Sequence, residues 1–137
     1  AREEQLRGAS VQQAMSRRFL TLSPWTRIRE LAHQDLDVTL LQDGVFPVSS
    51  GGVVVGMVTA EALQEALHTN GGDTYVADVM TRDIVCVRPS DELGLTLQTL
   101  QSRALGAAPV VMAGRLVGML TLRNVAAFAQ TLQLRTV

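Results

Sequence analysis

An α+β fold built from two copies of one β-α-β-β-α unit is what this sequence predicts. Three observations lead there. The stretch PVSSGGVVVGMVTAEAL (Pro47–Leu63) returns 62 residues later as PVVMAGRLVGMLTLRNV (Pro109–Val125), with Pro, Val, Gly, Val, Gly, Met and Thr in register. VQQAMSRRFLTLSPWTRI (Val11–Ile28) and VADVMTRDIVCVRPSDEL (Val76–Leu93) match at an offset of 65, so Met15 pairs with Met80, Arg17 with Arg82 and Pro24 with Pro89. Within each copy, short β-rich runs bounded by Gly and Pro alternate with segments of helical period. The two offsets make the first copy three residues longer, within AHQDLDVTLLQDGVF (Ala32–Phe46).

Each copy opens with a short helical turn that ends at Met15 or Met80. A β-rich run follows, FLTL or IVCV, and Pro24 or Pro89, which has no N–H to give a ladder, stops it. An amphipathic helix comes next. In the second copy Ser90 or Asp91 is placed to cap it, and Leu93, Leu97 and Leu100 share one face. In the first copy Ile28 and Leu31 follow Thr26 in the same way. Two strands joined by a tight Gly turn then read PVSS-GG-VVVGMVT and PVVM-AG-RLVGMLT. Thr59 or Thr121 closes the second strand and caps a last helix, AEALQEALH or LRNVAAFAQTL. The organisation is a helical lead-in over 1–10, a first copy over 11–68, a polar Gly-rich linker over 69–75 and a second copy over 76–134.

The 137 residues, 47% hydrophobic and 4% aromatic, suffice for a Val, Leu, Ala and Met core without disulfides or metals. Net charge is −1 and all twelve basic residues are Arg, with no basic stripe of the kind that binds nucleic acid. Cys86, in the apolar run DIVCV, reads as a small packed hydrophobe. The greasiest region, Leu105–Leu122, is cut by Pro109, three glycines and Arg115, which suits buried strands and not a membrane span. No signal peptide pattern opens the chain, so a cytoplasmic location is expected. There is no H-E-x-x-H, P-loop, G-x-S-x-G or Cys–His pairing, so neither catalysis nor metal binding is expected of this chain. His33 and His68 read as surface residues, Phe19, Trp25 and Phe46 as core or interface groups, and the five methionines as packing.

Taken together, VMTRDIVCVRPSDEL, APVVMAGRLVGMLTLRNV, AMSRRFLTLSPWTRI and FPVSSGGVVVGMVT, with the closing phrase G-x-x-T-x-x-[D/N], resemble a tandem pair of CBS domains, a Bateman module. The resemblance covers residues 9–134. It implies two CBS repeats packed sheet to sheet about a pseudo-twofold axis, and a homodimer of such modules. It also implies a regulatory function: no cofactor is required, but an adenosine-type ligand (AMP, ADP, ATP or S-adenosylmethionine) is sensed and its presence passed to a linked or partner effector domain. AHQDLDVTLLQDGVFPVSSGGVVVGMVT further resembles the CBS region that follows the membrane core of some site-2-protease-like zinc metallopeptidases. That implies a cytosolic regulatory portion of such a peptidase; a stand-alone CBS pair, or the tail of a channel or transporter, is the alternative.

A strand that feeds a helix through a Thr cap leaves free N–H groups and the positive end of the helix dipole, where phosphate is welcome. Three residues past this Thr the family usually has Asp, whose carboxylate accepts from ribose hydroxyls. Here those places hold Ala62 and Asn124. Ala62 offers no polar atom, and Asn124 offers one acceptor beside a donor. Glu61 would repel a phosphate in the first copy; Arg123, at the matching place in the second, would attract it. The second site, with Val85, Ala108, Pro109, Thr121, Arg123 and Asn124, is therefore the favoured one. The first, with Phe46, Pro47, Thr59 and Ala62, reads as degenerate. A second reading stands beside this one: Thr59 and Thr121 are helix caps only, both sites are silent, and the module is a dimerisation or docking scaffold.

Overall fold

Tight two-residue turns set the geometry. In this computed structural model, which describes residues 6–36 and 38–135, Val45–Ser50 (β1) turns through Gly51 and Gly52 into Val53–Thr59 (β2). Both turn residues have positive φ, 60° and 84°, the combination whose twist matches that of a two-residue antiparallel hairpin. Ala107–Met112 (β3) and Arg115–Thr121 (β4) repeat this, but with Ala113 at φ 51° before Gly114 at 78°. Ala113 therefore sits in a left-handed conformation that disfavours any Cβ.

The hairpins are antiparallel and share one register: Val45 lies opposite Thr59 and Ala107 opposite Thr121. Both slip at the same place, between Val48 and Ser49 and between Val110 and Val111. The β-rich runs FLTL and IVCV do not form the regular strands expected of them. Each touches its hairpin through one parallel bridge, Leu22 with Val48 and Val87 with Val110. IVCV is too short for more: the Ile84 N–H turns back onto the Arg82 carbonyl at 3.0 Å, and Pro89 ends the run.

The chain divides into two compact units, each organised about one hairpin: a central unit, Arg18–Ile84, and a flanking unit made of the residues up to Arg17 and those from Val85 onward. These units are not the two sequence copies. The leading turn of the first copy, Val11–Ala14 (α1), belongs to the flanking unit, and that of the second, Val76–Val79 (α4), to the central one. Past α1, Ser16 exchanges backbone hydrogen bonds with Met119 of β4 at 2.8 and 2.9 Å. Past α4, Thr81 does the same with Met57 of β2 at 2.8 and 3.0 Å. These crossings explain the glycine of the repeated G-x-x-T phrase. A Cβ on Gly56 would lie 2.6 Å from the Thr81 carbonyl oxygen, and one on Gly118 2.8 Å from Met15 Sδ.

Helices complete each unit. In the central unit Ile28–Leu31 (α2) is a single turn, followed at Val38–Leu41 by a 3-10 turn, so the longer middle of the first copy replaces most of a helix. In the flanking unit Leu93–Ser102 (α5) is a full helix with Leu93, Leu97 and Leu100 buried as expected. Its cap is Glu92, which accepts from the Gly94 and Leu95 N–H groups at 3.0 and 2.9 Å, and not Ser90 or Asp91. Asp91 is occupied one turn earlier, accepting from the Arg88 N–H. The last helices are Ala60–Asn70 (α3) and Leu122–Arg135 (α6). Segment 69–75, expected as a linker, is built into the central unit: α3 runs to Asn70, Gly71 ends it in the left-handed region, and the Gly72 and Thr74 carbonyls accept from the Arg29 and Ile28 N–H groups.

Each unit has its own core. Leu22, Ile28, Phe46, Val48, Val58, Ala66 and Val76 form the central one; Val11, Leu93, Leu97, Val110, Leu120 and Val125 are prominent in the flanking one. Met112 and Cys86 depart from the packed roles expected of them, Met112 being 57% exposed at a hairpin end. Trp25 is outside the core, 69% exposed with its ring edge-on to Tyr75 at 6.2 Å. The Cys86 side chain is exposed, because the neighbouring Val87 takes the inward place in the bridge to β3. His33 and His68 are exposed as expected.

Candidate functional site

The two strand-to-helix junctions are built alike up to the first helical residue. Gly44 accepts from the Ala60 N–H at 2.8 Å, and Gly106 from the Leu122 N–H at 3.1 Å. Beyond that they differ. At the central junction the Ala62 N–H donates to Thr59 Oγ1 at 3.1 Å, and Ala62 returns nothing. At the flanking junction the Asn124 N–H donates to Thr121 Oγ1 at 3.0 Å, while Asn124 Oδ1 accepts from the Thr121 N–H at 3.1 Å. This reciprocal pair is a capping box, with Asn in the place usual for Glu or Gln. Thr121 is 4% exposed, whereas Thr59 is on the surface.

The capping box decides what Asn124 offers a ligand. Its single carbonyl oxygen is turned to the backbone, so the group left over is the amide NH2, a donor. A ribose hydroxyl can accept from it, but loses the charge-assisted acceptor that an Asp carboxylate supplies, a bond of about 1.5–3 kcal/mol. Arg123 stands exposed on the first turn of α6, where the N–H groups and the helix dipole are positive, and adds its charge to theirs. At the central junction the corresponding residue is Glu61, in the first turn of α3.

The remaining site residues gather at one end of each hairpin. Ala107 is opposite Thr121, and Val85, two residues before the Val87–Val110 bridge, packs against the core that contains Ala108. Val85 is half-buried, whereas Ala108 and Pro109 are buried, Ala108 within the flanking core. They shape the wall of this junction, and the polar chemistry falls to Thr121, Arg123 and Asn124. In the central unit Phe46 and Pro47 are likewise buried, Phe46 in the core. Phe46 occupies the position matching Ala108, so the larger of the two side chains belongs to the central unit. Glu92, the cap of α5, was not among the residues singled out; its place three before Leu95 is the signal that finds it.

No group of three or more potential metal-binding side chains occurs among the described residues, and no described helix is long and apolar enough to cross a membrane.

Comparison with known proteins gives the same picture. Residues 76–130 match the family model described as CBS domain. Over 123 residues the chain is 29% identical to the CBS domain-containing protein YhcV of Bacillus subtilis, spanning 86% of this chain and 84% of YhcV. A Vibrio cholerae acetoin utilization protein, AcuB, superimposes with a TM-score of 0.77 at 23% identity, covering 93% of this chain and 94% of that one. The plant protein CBSX2, of Arabidopsis thaliana, crystallised with AMP, superimposes with a TM-score of 0.71 at 26% identity over 92% and 99% of the two chains. With two small hairpin sheets and a mixed α+β order, this chain has the fold of CBS-pair proteins.

Proposed function

We propose that this chain is a regulatory CBS-pair module whose flanking unit senses an adenosine-type ligand, with AMP, ADP, ATP and S-adenosylmethionine as the ligands to try, and whose central unit is silent. The asymmetry of the two junctions carries the reading. Thr121, Arg123 and Asn124 stand on one helix start, while the other carries Ala62 and Glu61. The structural relative that holds AMP supports the ligand class. Binding is weak, about ten- to a hundredfold below that of a carboxylate-bearing site, because the Asn124 oxygen is committed to the cap. The ligand biases a linked or partner effector only through its differential affinity for two states of the module. We assign the module to the cytoplasm as a homodimer. For the effector, the reading of 32–59 points to a site-2-protease-like membrane zinc metallopeptidase, with a channel or transporter as the alternative.

Calorimetry with the four ligands tests this. Asn124→Asp keeps an oxygen for the cap, adds a second for ribose and should tighten AMP about tenfold, while Ala62→Asp should leave the first titration unchanged. No heat from millimolar ligand in either the native chain or Asn124→Asp overturns the sensor. It leaves the second reading, a ligand-independent dimerisation scaffold, which the engaged Asn124 oxygen and the apolar Ala62 favour.

A further inference from the structure

Counted from their capping threonines, Ala66 in α3 and Phe128 in α6 occupy the same position, as do Asn70 and Leu132. In the flanking unit Phe128 and Leu132 pack against the core together with Ala9 and Ala14. In the central unit the small Ala66 and polar Asn70 leave that volume unfilled. The facing segment also changes, with Thr74, Asp78 and Val79 where the flanking unit has Ala9, Gln13 and Ala14. The result is a cleft of about 370 Å³, at the lower end of the range of about 300–1,000 Å³ for small-molecule sites.

Its chemistry is specific. Ala62, Ala66 and Val79 supply apolar lining, and Glu65 and Asp78 bring two carboxylates. Asp78 Oδ2 accepts from the Tyr75 N–H at 2.9 Å, a bond that uses one of its two carboxylate oxygens. The Thr74 hydroxyl oxygen is shielded from water and has no hydrogen-bond partner among the described residues, which is costly unless something supplies one. No basic side chain lines the cleft among the described residues.

We propose that this cleft binds a small organic cation with an apolar body the size of an aromatic ring. The ring takes the volume that Phe128 and Leu132 fill in the flanking unit, and the ammonium lies between Glu65 and Asp78. The site shares Ala62 with the central strand-to-helix junction but lies along α3 beyond it, and needs neither junction to bind a nucleotide.

The test is a titration of the full chain with 2-phenylethylammonium, followed by backbone amide chemical shifts. Saturable shifts in 62–79 are expected, with a Kd on the order of 1 mM, about 4 kcal/mol. Phenylacetate, with the same ring and the opposite charge, and ethylammonium, with the charge and no ring, should each bind at least about tenfold more weakly. Ala66→Phe restores the side chain of the other unit and should abolish binding with the melting temperature unchanged or raised; Ala66→Leu does the same duty if Phe disturbs folding. Glu65→Gln should weaken binding about threefold. Equal binding of phenylacetate, undiminished binding by the folded Ala66 variants, or no saturable shift at tens of millimolar overturns the proposal. A dimer that Ala66→Phe converts to monomer, with no amine bound, overturns it too and gives the cleft to a second copy of the chain.

Discussion

The central and flanking units share a hairpin register to the residue, yet differ in their turns, in how their last helices are capped and in what those helices bury. One turns on Gly51-Gly52, the other on Ala113-Gly114; one helix start is capped from one side, the other reciprocally; one last helix leaves a cleft where the other buries Phe128. Backbone pairing tolerates no drift, because a one-residue slip would turn every buried side chain outward. Junction residues are under no such constraint, and there the two copies have separated.

The crossings over Gly56 and Gly118 offer the largest contrast. Gly56→Ala sets a Cβ against a backbone oxygen that cannot yield, and should cost about 2–3 kcal/mol. Gly118→Ala meets the flexible end of Met15 first, with the Ser16 oxygen at 3.1 Å, and should cost about 1 kcal/mol. Chemical denaturation of the two variants gives the difference, and equal losses would mean that the crossings are equally tight. Next come the caps. Thr121→Ala removes half of a buried reciprocal pair and should cost about 1–2 kcal/mol, Thr59→Ala about half as much. A larger loss at Thr59 would reverse the order of the two junctions. At the turns, Gly51→Ala should cost about 1 kcal/mol and Ala113→Gly return a similar amount, since both place the same residue type in the left-handed region. An Ala113→Gly variant no more stable than the parent would show that the strain is relieved elsewhere.

The smallest effect is at Cys86, which stands where the central unit has Thr21. Although the residue is exposed, desolvation of the sulfur by its neighbours raises its pKa above the ordinary 9.0. The folded state thus favours the neutral thiol: its contribution to stability is present below pH 9 and is lost as pH rises through the raised value. Iodoacetamide should alkylate the native chain more slowly than the unfolded chain at pH 8, with the rate climbing to a midpoint above 9. A midpoint below that would place a positive group near the sulfur.

Much of this was legible in the sequence. The hairpins, their glycine turns and the capping threonines follow from residues whose local chemistry permits little else, and the pairing of Pro47 with Pro109 carried the register across. The candidate site was legible as a list of positions, because G-x-x-T fixes the count to Ala62 and Asn124. What Asn124 does with its oxygen was not, since an amide three residues into a helix can face the cap or the solvent. The cap of α5 was missed because three adjacent residues, Ser90, Asp91 and Glu92, all suit the role, and only the turn from Arg88 decides among them. The destination of the leading turns was also hidden: α1 (VQQA) and α4 (VADV) both begin with Val and run into Met, and neither sequence says which hairpin glycine it crosses.

That last point has a consequence for how such a chain can be divided. Because the segment after α1 bridges the hairpin of the second copy and that after α4 the hairpin of the first, a fragment cut at the repeat boundary carries the other hairpin's cover and lacks its own. Two fragments mixed together can trade these pieces and restore both hairpins; either alone has an uncovered edge. The smallest piece that keeps both crossings as they stand here is therefore a pair of copies, whether joined in one polypeptide or brought together from two.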